Sequence, residues 1–274
     1  MKKNMKKLLA LAAAGVLAAG CIALAGCGSD NQSSSDQNSN STATAGDLGL
    51  IADGTLKVAV SPDYPPFENL ENGEYVGFEI ELCEALAAEM GLQVEFVPMQ
   101  FDAIVPAIAA GGQADIGASG FSVTPERAEQ INFTSTFYVD DQAVAVMGDS
   151  PLASDTSALN SADVTIAVQS GTTGESYARE NYPNATIQPY GNSTDAFAAM
   201  QAGQADAVCT NMAVVNKMIS TAYNDAVVVA TSATGEEYAM VVSQDNAALL
   251  AAVNDALATL QANGTIDQLL ETWM

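Results

Sequence analysis

Histidine is absent from the 274 residues, cysteine occurs only four times, and lysine and arginine together number eight. Without an imidazole there is no Ser–His or Cys–His nucleophilic centre and no zinc or haem held by histidine. Cys21 and Cys27 lie in the amino-terminal stretch, which leaves Cys83 and Cys209 for the folded part. Their neighbours Leu82, Leu86 and Val208 are apolar, so buried free thiols are expected rather than a bridge. Positive charge is scarce where it would matter. Lys2, Lys3, Lys6 and Lys7 take half of it, and Lys57, Arg127, Arg179 and Lys217 face 33 acids, a formal charge of 4 − 33 = −29. That balance excludes nucleic acid as a partner, because phosphates need a basic face. Beyond residue 26 no further apolar run is long enough to span a bilayer.

What is present begins with a leader. Four lysines precede an apolar, alanine-rich stretch over 8–25, and small residues close it, so residues 1–26 read as a secretory signal. Leu24-Ala25-Gly26-Cys27 resembles the lipobox of bacterial lipoproteins, which implies diacylation of Cys27 and anchoring on the outer face of the cell membrane. Ala18-Ala19-Gly20-Cys21 is a second match, and an uncleaved apolar anchor is the alternative. Residues 27–50 are a tether of Ser, Asn, Gln and Thr with almost no apolar content. Folding is expected to start near Leu50, and about 225 residues suffice for one large domain or two small lobes.

In the folded part, 55–60 alternates as a first strand and runs into Ser61-Pro62-Asp63-Tyr64-Pro65-Pro66-Phe67-Glu68, a rigid turn expected to expose two aromatics. Glu71-Asn72-Gly73-Glu74 is a hairpin-like turn. A helix over 78–90 turns Ile80, Leu82, Cys83, Leu86 and Ala87 inward, with Gly91 closing it, and 93–98 is a second strand. This order argues for an α/β parallel sheet. A repeat strengthens the argument: the helical stretch from Asp102 ends in Gly112-Gln113-Ala114-Asp115, and that from Asp195 in Gly203-Gln204-Ala205-Asp206. Aligning the two sets Ser119 against Thr210 and Gly120 against Asn211. Two similar α/β lobes follow, with the carboxyl ends of their strands facing one cleft, where such sheets bind ligands.

The stretch Ser119-Gly120-Phe121-Ser122-Val123-Thr124-Pro125-Glu126-Arg127 leaves the strand at 115–118 and opens a helix capped by Thr124. Arg127 opposes the macrodipole in a first helical turn, unless an anion sits between it and the N–H groups around Gly120 and Ser122. Pairing with Glu126, Glu129 or another surface acid is the plainer explanation. In the second half, the strand 165–169 leads through Ser170-Gly171-Thr172-Thr173-Gly174-Glu175 into a helix; this turn offers N–H groups and hydroxyls to an anion, or is an ordinary cap.

Tyr64-Pro65-Pro66-Phe67-Glu68, Val76-Gly77-Phe78-Glu79-Ile80, Phe101-Asp102-Ala103-Ile104-Val105-Pro106, Thr124-Pro125-Glu126-Arg127, Gly171-Thr172-Thr173 and Ala262-Asn263-Gly264-Thr265-Ile266-Asp267 together resemble the extracellular solute-binding proteins of amino-acid ABC transporters. The resemblance implies an α/β, two-lobed periplasmic-binding-protein fold (type II-like), its ligand cleft between lobes joined by two hinge strands. On that pattern residues 51–138 and 239–274 form lobe one, 144–232 lobe two, and 139–143 and 233–238 the hinges. Arg127 would grip the ligand carboxylate bidentately, helped by the N–H groups of Ser122 and Thr173. Ser119 and Gly120 would border the ligand, Gly120 giving its carbonyl to the ammonium. Tyr64 and Phe101 would sandwich the side chain, core packing being the alternative for both, and Gln169 would line the side-chain pocket. The family usually places an aspartate at Asn211 and often an acid at Ser61. Either Asp63, Asp141 or Glu175 compensates, or the ligand's amino group is substituted, delocalised or absent.

The implied function is that of a lipid-anchored monomer that closes on an amino acid or related small carboxylate and delivers it to a membrane permease, with no cofactor and no catalysis. The alternative is a cyclohexadienyl-dehydratase-like enzyme on the same scaffold, with Glu175 as general acid. A signalling domain without transport is a third class. The serine at position 61 weighs mildly against an Arg or Lys ligand.

Overall fold

The computed structural model describes residues 48–274. The signal, the lipidation site Cys27 and nearly all of the tether lie outside the described residues. The tether's expected end lies inside them, and there Leu48 is buried and its carbonyl accepts a bond from Asn246 Nδ2 at 2.9 Å. The packed chain therefore includes residues ahead of the expected start near Leu50.

The first half of the chain runs β1 (Thr55–Val60), β2 (Asp63–Tyr64), β3 (Glu68–Glu71), β4 (Glu74–Val76), α1 (Phe78–Glu89), β5 (Gln93–Pro98), α2 (Phe101–Ala110), β6 (Ile116–Gly117), α3 (Pro125–Ala128) and β7 (Ile131–Phe133). It continues through β8 (Tyr138–Met147), β9 (Thr165–Gln169), α4 (Thr173–Asn181), β10 (Thr186–Tyr190), α5 (Ser193–Gln201), β11 (Ala207–Asn211) and α6 (Met212–Thr221). The chain closes with β12 (Ala226–Tyr238), β13 (Val241–Ser243), α7 (Ala247–Ala262) and α8 (Thr265–Trp273).

Two five-stranded sheets share one plan, β5-β1-β6-β13-β7 and β10-β9-β11-β8-β12. In each, the first strand pairs parallel with two neighbours, and an antiparallel strand follows the repeat strand. The long strands β8 and β12 pair antiparallel from Tyr138↔Tyr238 to Met147↔Ala226 and carry the chain between the sheets. This is the two-lobed α/β fold that the motifs implied.

The repeat has a mechanical reason. Asp115 accepts the N–H groups of Ile51 and Lys57, both at 2.8 Å, and Asp206 accepts that of Thr165 at 2.8 Å. Each Gln-Ala-Asp thus fastens the strand it opens to the first strand of its own sheet, whose backbone carbonyl at Lys57 or Thr165 receives the aspartate N–H in return. The inward residues foreseen on α1 are all buried, and Gly91 follows it at φ 71°. Asn72 (φ 54°) and Gly73 (φ 89°) make the tight turn of the β3–β4 hairpin. Cys83 and Cys209 are buried free thiols, and burial pushes the Cys209 thiol up to about 12.

Two expectations fail. Tyr64 and Phe67 were expected on the surface of the Pro-flanked turn, and both are buried. Phe67 packs against Phe78, Tyr138 and Tyr238, with ring centres 5.0–6.3 Å apart, because the turn folds inward as β2 and β3 beside the two crossing strands. The helix opened by Thr124 has only four residues, so Arg127 lies in its last turn as much as its first, and the macrodipole argument loses its force.

Candidate functional site

Thr124 caps α3 by accepting the N–H of Arg127 at 3.3 Å, which aims the arginine back along its own loop. Arg127 Nη1 donates to the Ser122 carbonyl at 2.8 Å, and Nη2 crosses to the Gly171 carbonyl at 3.1 Å. Its guanidinium lies 5.3 Å from the ring centres of both Phe101 and Phe121, which stack at 4.8 Å. Phe101 thus does two things: it is buried against Phe121, and it lines the cavity beside Arg127. The surface ion pair with Glu126 or Glu129 is not made. Among the described residues the ion pairs are Lys57–Glu95 and Arg179–Glu175. Burial lowers the Arg127 pKa, and the charge of Glu236 is the largest influence raising it again.

Gly120 takes φ 58°, and a Cβ there would come within 3.0 Å of the Tyr64 ring. Its N–H donates to Glu79 Oε2 at 2.7 Å, while Ser119 Oγ donates to Glu68 Oε1 at 2.7 Å. Both acids are completely buried behind this loop. Glu68 Oε2 and Glu79 Oε1 have no hydrogen-bond partner among the described residues. Desolvation pushes both pKa values up, that of Glu79 to about 7, held down by the Gly120 N–H.

The opposite wall comes from the second sheet. Thr172 caps α4 by accepting the Glu175 N–H at 3.1 Å, which sets Thr173 at the helix start, and the Thr173 hydroxyl lies 3.4 Å from that of Ser122 on the loop of Arg127. Tyr64 Oη reaches across to Thr210 Oγ1 at 3.0 Å and donates to Asn211 Oδ1 at 2.7 Å. Gln169 Nε2 reaches Asp63 Oδ2 at 3.2 Å, and Asp63 also accepts the Ser193 N–H. The two walls close on a narrow cavity of about 10 Å³, lined by Tyr64, Phe101, Ser119, Gly120, Arg127, Gln169, Thr172, Thr173 and Asn211. The structure thus brings together most of the residues singled out from sequence. Ser122 stands just behind, 3.4 Å from Thr173 by hydroxyl distance, and Ser61 lies toward the cleft mouth, its hydroxyl donating to Asp63.

The three acids considered as substitutes for a residue-211 aspartate are engaged elsewhere. Asp63 holds Ser61, Gln169 and Ser193; Asp141 accepts the Gly235 N–H; Glu175 pairs with Arg179 and accepts the Gly171 N–H. The acid bonded directly to the cavity's lining is Glu236, on the crossing strand β12, which stands behind Thr173 and Asn211 and does not itself line the cavity. Its Oε2 accepts from Ser122 Oγ (2.5 Å), Thr173 Oγ1 (2.7 Å) and Asn211 Nδ2 (3.2 Å), and its Oε1 from Gln142 Nε2 (2.7 Å). Burial alone would raise its pKa, yet these donors bring it below the ordinary carboxylate value, so Glu236 is ionised at neutral pH. Sequence reasoning missed it; the only signal was an acidic pair, Glu236-Glu237, inside the segment expected to be a hinge.

An anion-seeking arginine between two α/β lobes, with capped N–H groups opposite, defines a solute-binding clamp. Residues 56–274 match the bacterial extracellular solute-binding proteins, family 3, and the chain belongs to that family. It is similar to ABC transporter arginine-binding protein 1 of Escherichia coli (strain K12), with 32% identity over 236 residues spanning 82% of this chain and 93% of the relative. Among solved structures, an ancestral amino acid-binding protein described as a precursor of cyclohexadienyl dehydratase is 38% identical with a TM-score of 0.74, over 80% of this chain and 95% of that one. An ancestral arginine-binding protein bound to glutamine is 31% identical with the same TM-score of 0.74, over 81% and 98%. These relatives are binding proteins, and the chain is a binding protein rather than an enzyme. No helix of the described residues is long and apolar enough to cross a membrane.

Proposed function

We propose that this protein is the solute-binding component of an ABC importer, tethered by lipid on Cys27, and that it closes on an amino acid and hands it to a membrane permease. The observation that carries this reading is Arg127. Its guanidinium spans the cleft without a carboxylate partner among the described residues, beside the N–H groups of Ser122 and Thr173, which donate to no protein acceptor there. Such a fork fits a carboxylate bidentately, in a geometry lysine does not offer. Tyr64 and Phe101 flank the space for the side chain, Gly120 offers its carbonyl to the ammonium, and Gln169 with Ser61 closes the far end. Lobe limits of 51–138 with 239–274, and 144–232, with bending at 139–143 and 233–238, agree with where β8 and β12 pass between the sheets.

The acid missing at Ser61 stands two residues on, at Asp63, bonded to both Ser61 and Gln169. That placement supports a polar or cationic side chain, and L-arginine and L-glutamine are the first ligands to try. The test is the thermal unfolding midpoint of the purified protein with each amino acid and with its amine lacking the carboxylate, because a ligand of the folded state raises the midpoint. A shift by the amino acid but not by the amine supports the clamp. If no carboxylate among the standard amino acids shifts the midpoint, the reading is wrong. The mass of the mature chain tests the anchor: diacylated Cys27 at the amino terminus is expected, and an intact leader would overturn it.

A further inference from the structure

We infer that Glu236 is the counter-charge for the ligand's ammonium, a specificity-determining residue on the crossing strand that replaces the aspartate missing at position 211. The inference rests on the amino-acid reading above and adds which residue reads the amino group. Three observations carry it. First, Glu236 Oε2 is one hydrogen bond from Thr173 and Asn211, both of which line the cavity, and from Ser122 at its back. Those are the side chains of the two residues whose N–H groups are proposed to hold the carboxylate, so a group on the neighbouring α-carbon substituent lies beside Glu236.

Second, every donor to Glu236 is neutral: three hydroxyls, counting Thr234 Oγ1 at 3.2 Å, and two amides. No lysine or arginine lies within ion-pair distance of it among the described residues. An anion satisfied only by neutral donors gains a charge-assisted bond when a cation joins them. Third, Arg127 likewise has no acid within ion-pair distance, so a cation and an anion that are close enough to feel each other yet unpaired stand beside one cavity, as a zwitterion would require. Asn211 links the two ends of this arrangement, giving Nδ2 to Glu236 while Oδ1 takes the Tyr64 hydroxyl. Serine and threonine hydroxyls rotate between donating and accepting, so Ser122 and Thr173 adapt as an ammonium enters. The longest of the Oε2 contacts, to Asn211 Nδ2, is the one most readily exchanged.

The experiment measures calorimetric affinities of the whole protein for L-arginine and L-glutamine, and for their deaminated counterparts 5-guanidinopentanoate and glutaramate. In Glu236→Gln the amino acid that binds wild type is expected to weaken about thirty-fold, with the deaminated acid weakened at least ten times less. Moving the charge, as Glu236→Gln with Asn211→Asp, restores most of the loss. Equal losses for both ligand types, or no rescue, would assign Glu236 to hinge structure and overturn the inference. Asn211→Asp alone keeps Glu236 and tests the same idea should the Gln variant not fold. Because the ammonium already has its partner, a gain under about threefold is expected, and a gain of about a hundredfold would show that it had none. Wild type that binds the deaminated acids but neither amino acid leaves the carboxylate clamp standing and sinks Glu236. Wild type that binds neither these four nor any other standard amino acid sinks the amino-acid reading and Glu236 with it.

Discussion

The two walls of the cleft are built by one repeat and are chemically unlike. On the first wall, the segment after β6 carries a cation beside a stacked pair of phenylalanines, and two buried carboxyls hold the Ser119 hydroxyl and the Gly120 N–H from behind. On the second, the end of β11 and the start of α4 present hydroxyls and a neutral amide, and no ionised side chain of that sheet's own loops lines the cavity. The fastening beneath differs too: Asp115 holds two N–H groups, Asp206 one. The two lobes share the strand order and the Gln-Ala-Asp anchor, and they differ in what they present: a cation on the first wall, neutral hydroxyls and amides on the second.

That contrast can be broken most severely at the cation. Arg127→Lys keeps the charge and loses the fork, and it is expected to weaken amino-acid binding by about 2–5 kcal/mol with little change in fold stability. Isothermal calorimetry reads the first and denaturant unfolding the second, and a lysine that binds as well as arginine would remove the grip from the first wall. Asp115→Ala removes a buried acceptor of two N–H groups, those of exposed Ile51 and half-buried Lys57, and should destabilise by about 2 kcal/mol, whereas Asp206→Ala at its more exposed counterpart should lose about 1 kcal/mol. Equal losses would mean that the two fastenings are interchangeable.

Gly120 sharpens the comparison because its partner in the repeat, Asn211, has an ordinary φ of −66°. Gly120→Ala is expected to destabilise by about 2 kcal/mol through positive φ and the Tyr64 ring, detectable as a lower unfolding midpoint. Acidity gives a smaller, graded effect. The Glu79 pKa is raised from 4.5 to about 7 by burial, so between these values the folded state holds a proton that the unfolded state has released. Stability from this group is therefore fully present below 4.5 and declines as pH rises toward 7, by about 1 kcal/mol per pH unit at most. Glu68, Cys83 and the Gly120 N–H are the groups that face it, and Asp140, raised to about 6 by burial, adds to the same trend from the crossing strand. Unfolding curves from pH 5 to 8 should fall less steeply in Glu79→Gln; an unchanged slope would clear the buried pair of any part in it.

Much of this fold was legible because its signals are local. The alternation over 55–60, the Asn72-Gly73 turn and the glycines after α1 and α2 act within a few residues of where they stand in sequence. The first wall was legible for the same reason, since cap, proline, arginine and glycine fall within one loop. Burial of Tyr64 and Phe67 was not, because it depends on β8 and β12 arriving from far along the chain. Nor was Glu68 or Glu79 recognisable as buried, the first looking like a surface acid at a turn and the second like one in the first turn of a helix. Glu236 was hidden most completely. It reaches the cleft only because the pairing of β12 with β8 breaks register between Ser232 and Glu236, and no periodicity in the sequence marks that break.

The contact between Asn211 and Glu236 joins the tip of one strand to the far end of another that lies next but one in the same sheet. A carboxylate at either place addresses the same few cubic ångströms, so it is free to migrate between them during evolution without reshaping the cavity. Ligand preference inferred from a single alignment column would then misjudge such lineages, scoring as a loss what is only a change of address.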